Sequence, residues 1–181
     1  LGYEEVGDTE FLLGPRYVLL REEFQDLPDR DTDEKVQDIL VTTGGADPSD
    51  LFPRVLKALD MIDEDIHVDV VMGPAVRGRD ELIGSIDEVG FDASPVFDPE
   101  YMSALMLKAD MAVSAGGGTL YELAATGTPA IVLLQTENQV PVAEAMEGEG
   151  TIINLGFGDE VEVERLAETV MDLMNDPRRR D

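Results

Sequence analysis

The chain has no cysteine, no tryptophan and one histidine, and only Lys35, Lys57 and Lys108 are lysines. Without cysteine there is no disulfide frame, no thiol nucleophile and no thiolate metal site. The histidine, His67, lies in a strand-like run at 65–72, and nothing beside it has the spacing of a metal-ligand cluster. It reads as a histidine on a strand, so Ser-His-Asp and Cys-His catalysis lack support and no metal is expected. No apolar run approaches the roughly 20 residues of a membrane span. No charged-then-apolar leader precedes a small-residue cleavage site, so a cytoplasmic protein is expected. Positive charge is scarce as well: 13 Lys plus Arg face 40 Asp plus Glu, a formal charge of −27. Nucleic acid and anionic lipid both need cationic surface, and neither is an expected partner.

The acids are spread over every segment rather than gathered in a tail. A uniform acidic coat fits a halophile, because at molar salt the Debye length is about 3 Å and self-repulsion is screened. The charge then describes the solvent more than the function.

At 181 residues and 43% hydrophobic content the chain fits one domain with a real core. From residue 39 onward, short apolar runs alternate with helical patterns, which predicts an α/β fold: a Rossmann-like parallel sheet of about six strands with helices on both faces. Strands are predicted at 39–43, 67–72, 94–97, 111–115, 130–134 and 151–154. Helices are predicted at 50–59, 79–88, 100–108, 119–125, 140–147 and 161–175. The last is the clearest, with Val161, Leu166, Val170 and Leu173 at helical spacing and Asp176-Pro177 at its end. Residues 1–38 differ in composition and read as a linker and edge segment that joins a further N-terminal domain to the domain at 39–181. With Leu1 in place of an initiator Met, the chain is expected to be a piece of something longer. The tail Arg178-Arg179-Arg180 reads as a solvated end.

Ligands of doubly wound folds bind at the carboxyl edge of the sheet, so the βα loops carry the functional candidates. The richest is Ser114-Ala115-Gly116-Gly117-Gly118-Thr119, followed by Glu122 in the first helical turn. Glycines and a helix start let backbone N–H groups approach an anion, and Glu122 can accept hydrogen bonds from a ribose diol. The other reading is a tight βα turn with a helix-dipole glutamate. Gly44-Gly45-Ala46-Asp47 follows the first strand; the glycines allow close approach, and Asp47 or Ser49 is placed to cap the next helix. Val96 and Phe97 offer an apolar wall for a base, or simply core. Asn138 and Gln139 suit sugar hydroxyls, or an ordinary polar loop. A dinucleotide Gly-x-Gly-x-x-Gly after the first strand, a Gly-Lys-Ser/Thr P-loop and a Gly-x-Ser-x-Gly elbow are all absent.

These residues, in this order, resemble a known family. Leu-Leu-Gly-Pro-Arg-Tyr at 12–17, Thr-Gly-Gly-Ala-Asp-Pro at 43–48, Val-Phe-Asp at 96–98, Ala-Asp-Met-Ala-Val-Ser-Ala-Gly-Gly-Gly-Thr at 109–119, Glu122, Gly-Thr-Pro-Ala at 127–130 and Glu-Asn-Gln at 137–139 are similar to the C-terminal half of UDP-sugar hydrolases of pseudaminic acid biosynthesis. These are also called spore coat polysaccharide biosynthesis proteins. More distantly, the pattern resembles the C-terminal domain of peptidoglycan N-acetylglucosaminyltransferases. The resemblance implies half of a GT-B architecture with a UDP-sugar as partner and no cofactor. It implies that Glu122 takes the ribose hydroxyls, that Gly116, Gly117, Gly118 and Thr119 lie along the pyrophosphate with Ser114 also binding the nucleotide, and that Val96 and Phe97 meet the uracil. Asn138 and Gln139 would meet the sugar, with Gly44, Gly45 and Asp47 facing the cleft. The Gly- and His-containing loop that supplies the family's catalytic histidine has no match here, which leaves the catalytic residues unknown. The expected function is the nucleotide-sugar-binding domain of a hydrolase. The alternatives are the donor-binding domain of a glycosyltransferase and a non-catalytic nucleotide-binding module.

Overall fold

Most strands are short aliphatic runs buried on both sides, the signature of a parallel sheet covered by helices. In the computed structural model, which describes residues 10–12, 14–30 and 35–180, six strands form one all-parallel sheet. They are β1 (Asp38–Thr42), β2 (His67–Met72), β3 (Asp92–Phe97), β4 (Met111–Ala115), β5 (Ala130–Leu134) and β6 (Ile152–Phe157), in the order β3-β2-β1-β4-β5-β6. The helices are α1 (Leu51–Leu59), α2 (Arg79–Asp87), α3 (Met102–Lys108), α4 (Thr119–Ala125), α5 (Val140–Gly148), α6 (Val163–Met174) and α7 (Pro177–Arg180).

Strand periodicity sets the layers. Ile39, Val41, Val68, Val70, Met111, Val113, Ile131 and Leu133 pack with α1, α2 and α6 on one face. Leu40, Val71, Ala112, Val132 and Leu134 pack with α3, α4 and α5 on the other. This is the expected Rossmann-like fold. Strand β1 pairs with β2 on one side and β4 on the other. The chain therefore reverses its direction of winding at β1, and the crevice beyond the carboxyl ends of β1 and β4 is the switch point where such sheets open to ligands.

Some elements run differently from the sequence reading. Strand β3 begins at Asp92 rather than 94 and contains Pro95; it lies at the sheet edge, where a missing N–H costs no ladder bond. The arginine tail is not wholly solvated: it forms α7, which packs on α6, and Arg180 is only 2% exposed.

The segment before β1 lies along the α3 and α4 layer. Phe24 is buried, and Leu20 and Leu27 pack on the same cluster. The Glu23 carboxylate accepts the Ser103 N–H at 3.0 Å, in the first turn of α3. At the far end of α3, Arg30 donates to the Met106 carbonyl at 3.4 Å and to Thr128 Oγ1 at 3.2 Å. The expected linker at 1–38 and the motif at 12–17 fall partly outside the described residues, at 1–9, 13 and 31–34.

The amino edge of the sheet carries a charge cluster. His67 Nδ1 lies 2.8 Å from Asp92 Oδ2 and its Nε2 lies 3.1 Å from Asp69 Oδ1. Lys108 Nζ bridges Asp38 at 2.8 Å and Asp69 at 3.0 Å. Burial pulls the His67 pKa down, but the hydrogen bonds to Asp92 and Asp69 outweigh it and hold it above the usual 6.5. A raised folded-state pKa means that this stabilisation is complete below about pH 6.5 and is lost as pH climbs through the folded value. Denaturant unfolding between pH 6 and 8.5 should show wild-type stability falling relative to His67→Gln. Parallel curves for the two proteins would remove His67 from the pH dependence.

Candidate functional site

A cleft of about 380 Å³ opens at the carboxyl edge of the sheet. Gly44 and Gly45 after β1, Gly73 and Pro74 after β2, Asp98 and Pro99 after β3, and Thr119 and Glu122 of α4 line it, with Arg21 reaching in from the leading segment. Four successive βα loops thus converge at the switch point.

The first two loops are interlocked. Gly44 adopts a left-handed φ of 75°, and the Ala75 N–H donates to the Gly45 carbonyl at 2.9 Å. Gly73 sits so close that a Cβ would overlap the Gly44 carbonyl oxygen and come within 2.7 Å of the Gly45 Cα. The Gly73-Pro74 pair escaped the sequence reading. Its only signal was a glycine ending the second strand, a position where tight backbone approach is common.

The three glycines after β4 divide by role. Gly116 is required by packing, since a Cβ there would lie 2.5 Å from Leu134 Cδ2 and 3.0 Å from the Gln139 Cβ. Gly118 faces open space, with nothing within 4 Å, and Gly117 nearly so. None of the three has a left-handed φ. Their absent side chains keep volume free beside the first turn of α4 rather than relieve backbone strain. Ser114, by contrast, is buried within β4 with its hydroxyl donating to the Ala115 carbonyl at 3.1 Å, and does not line the cleft.

Glu122 is in the first turn of α4, as the sequence indicates, with its side chain 17% exposed. Its Oε1 accepts from Arg21 Nε at 3.2 Å and Nη2 at 2.9 Å. Arg21 belongs to the leading segment by sequence, and its place in the cleft is a long-range contact across 101 positions that no local pattern announces.

The other candidates lie around the cleft rather than in its wall. Asp47 caps α1, its carboxylate accepting the Leu51 and Phe52 N–H groups at 2.9 and 3.1 Å. Burial raises its pKa, and those two bonds oppose the rise. The same carboxylate borders a separate cavity of about 190 Å³. Val96 is half-buried against the α3 and α4 layer. Phe97 is 41% exposed and covered on one face by the Arg79 guanidinium, 5.5 Å from the ring centroid. Arg79 is itself fixed by a 2.7 Å bond to the Gly73 carbonyl. Asn138 and Gln139 lie in a 3-10 turn (Glu137–Gln139) after β5. Gln139 Oε1 accepts the Gln135 N–H at 2.8 Å, and its side chain backs the Gly116 turn.

Although sequence spacing gave no metal cluster around His67, the fold brings ligand atoms of Asp38, His67 and Asp69 within 4.8 Å of one another. Lys108 already supplies a cation to both aspartates, at the edge of the sheet opposite the cleft. Among the described residues, no helix is long and apolar enough to cross a membrane.

Known proteins resemble this chain in sequence and in fold. Spore coat polysaccharide biosynthesis protein SpsG of Bacillus subtilis (strain 168) is 32% identical over 180 residues, covering 93% of this chain and 50% of that protein. A Helicobacter pylori (strain ATCC 700392 / 26695) protein is 27% identical over 143 residues, covering 79% of this chain and 25% of its own length. Its name is pseudaminic acid cytidylyltransferase and UDP-2,4-diacetamido-2,4,6-trideoxy-beta-L-altropyranose hydrolase. The chain spans half or less of these two relatives. Among solved structures, MurG of Acinetobacter baumannii superposes with a TM-score of 0.68 at 16% identity, over 87% of this chain and 45% of that one. At that identity the likeness speaks to the fold, which is that of the C-terminal domain of GT-B glycosyltransferases. The sequence profile of the glycosyltransferase family 28 C-terminal domain matches residues 39–181, that is, the whole sheet from β1 to β6 with its covering helices, and the chain belongs to that family.

Proposed function

We propose that this chain binds a UDP-sugar in the switch-point cleft and forms the nucleotide-sugar-binding half of a hydrolase that cleaves a sugar–phosphate bond with water. Surface polysaccharide or nonulosonic acid biosynthesis is the setting, in keeping with the names of the two relatives. The observation that carries the reading is Glu122. It is a carboxylate in the first turn of α4, set in a cleft also lined by Gly44, Gly45, Gly73 and Thr119. Such a carboxylate accepts a vicinal diol, and the open volume at Gly117 and Gly118 leaves room for phosphate oxygens beside it. Gln139 borders the same loop, and with Asn138, its neighbour in the chain, it suits a sugar. A glycosyltransferase donor domain is the second reading, favoured by the family 28 match. The two differ in whether water or an acceptor hydroxyl attacks, and that choice is made by a catalytic domain supplied from outside these residues.

The acid excess is read as adaptation to molar salt, so binding is measured in molar KCl. Calorimetric titration should show UDP bound by the isolated chain, with no release of sugar when a UDP-sugar replaces UDP. A folded chain that binds no UDP overturns the reading. Turnover at about 1 per second or faster puts the catalytic group inside this chain and removes the need for a second domain.

A further inference from the structure

We propose that Arg21 is the cation that receives the diphosphate of the nucleotide sugar, and that its pairing with Glu122 holds it in position for that role. The inference rests on the nucleotide-sugar reading and adds a residue and a specificity to it.

Electrostatics of the cleft come first. Among the described residues lining it, Arg21 is the one cation, against the acids Asp98 and Glu122. The whole chain carries a formal −27. Carboxylates cannot donate to a diphosphate, so charge-assisted hydrogen bonds from this lining to the phosphates come from Arg21. Guanidinium suits the task, since its planar fork of five N–H donors matches phosphate oxygens two at a time.

Arg21 is also positioned. Its Nη1 contacts Glu23 Oε1 at 2.6 Å, its guanidinium carbon lies 5.2 Å from the Phe24 ring centroid, and Nε and Nη2 converge on a single oxygen of Glu122. Phe24 is buried, and Glu23 is tied to the start of α3. The guanidinium is therefore held at the cleft, while the side chain remains 55% exposed and open to an incoming ligand. When a ribose diol donates to Glu122, it competes for the oxygen that Arg21 uses, and donors of the guanidinium are released toward the phosphates. One carboxylate thus couples recognition of the diol to presentation of the cation.

The rival role is purely structural: an exposed ion pair that ties the leading segment to α4. UDP and uridine distinguish the two, because they share base and diol and differ in the phosphates. Affinities for both are measured by calorimetry on the full chain, for wild type, Arg21→Gln and Arg21→Met, with thermal melts of each. Arg21→Met keeps an apolar stem over Phe24 and decides the case if Arg21→Gln does not fold. The expected result is a loss of UDP affinity of about ten- to hundredfold, with uridine affinity held within about twofold. A folded variant that keeps the wild-type ratio of UDP to uridine affinity overturns the assignment of Arg21 and leaves the nucleotide reading standing. Wild type that binds neither compound overturns both.

Discussion

Gly73→Ala should lower the melting temperature by about 4–16 °C, whereas Gly118→Ala should leave it nearly unchanged. At Gly73 the added methyl meets backbone on the neighbouring loop, the Gly44 carbonyl and the Gly45 Cα, and neither can rotate away. Overpacking a rigid contact costs about 1–3 kcal/mol. Parting the two loops also strains the Ala75 to Gly45 hydrogen bond, a further loss of about 1 kcal/mol. For a chain of this size each kcal/mol moves the melting temperature by roughly 2–4 °C. At Gly118 the same methyl meets nothing within 4 Å, and φ is −59°, which alanine adopts freely. Thermal melts of the two variants at one salt concentration make the comparison. Equal melting temperatures would show that the β1 and β2 loops are not locked through Gly73. The cleft would then lack the rigid floor that its geometry implies.

How much of this was legible in the sequence follows from where the signals are local. Strands β1, β2, β4 and β5 announce themselves because both faces are covered, so each carries a run of apolar residues, at 39–41, 70–72, 111–113 and 130–134. Strand β3 was read short because it lies at the edge, is half-exposed, and contains Pro95. Strand β6 ends at Phe157 rather than 154, beyond an irregularity in its pairing with β5. Glu122 and the glycines after β4 were legible because strand, turn and helix start are contiguous in the chain. Arg21 and Gly73 were not. Arg21 owes its position to burial of Phe24 and to Glu23 on α3, contacts between segments some 80 positions apart. Gly73 matters only because another loop passes over it. Asp47 was legible as a cap but not as a residue turned away from the cleft, since its place follows from the path of the loop.

Glu122→Ala should weaken UDP binding by about ten- to hundredfold and abolish the preference for UDP over a 2′,3′-dideoxy analogue. Hydrogen bonds to a charged acceptor contribute on the order of 1.5–3 kcal/mol, which sets that range. Two opposing effects must be weighed. Removing a carboxylate relieves repulsion of the diphosphate, but unit charges about 8 Å apart interact by only roughly 0.5 kcal/mol in water. At molar salt, with a Debye length of about 3 Å, that term nearly vanishes. Removing Glu122 also frees Arg21, whose exposed ion pair is worth at most about 1 kcal/mol, and deletes a favourable charge from the first turn of α4, worth about 0.3–1 kcal/mol. Fold stability should therefore fall modestly and leave a protein that can be titrated. The dideoxy analogue separates the diol from everything else, because it retains base and phosphates and lacks only the groups that Glu122 would hold. Wild type should prefer UDP over the analogue, and Glu122→Ala should bind the two alike. If the folded variant still prefers UDP by the wild-type margin, the diol is held elsewhere in the cleft and Glu122 belongs to the ion pair alone.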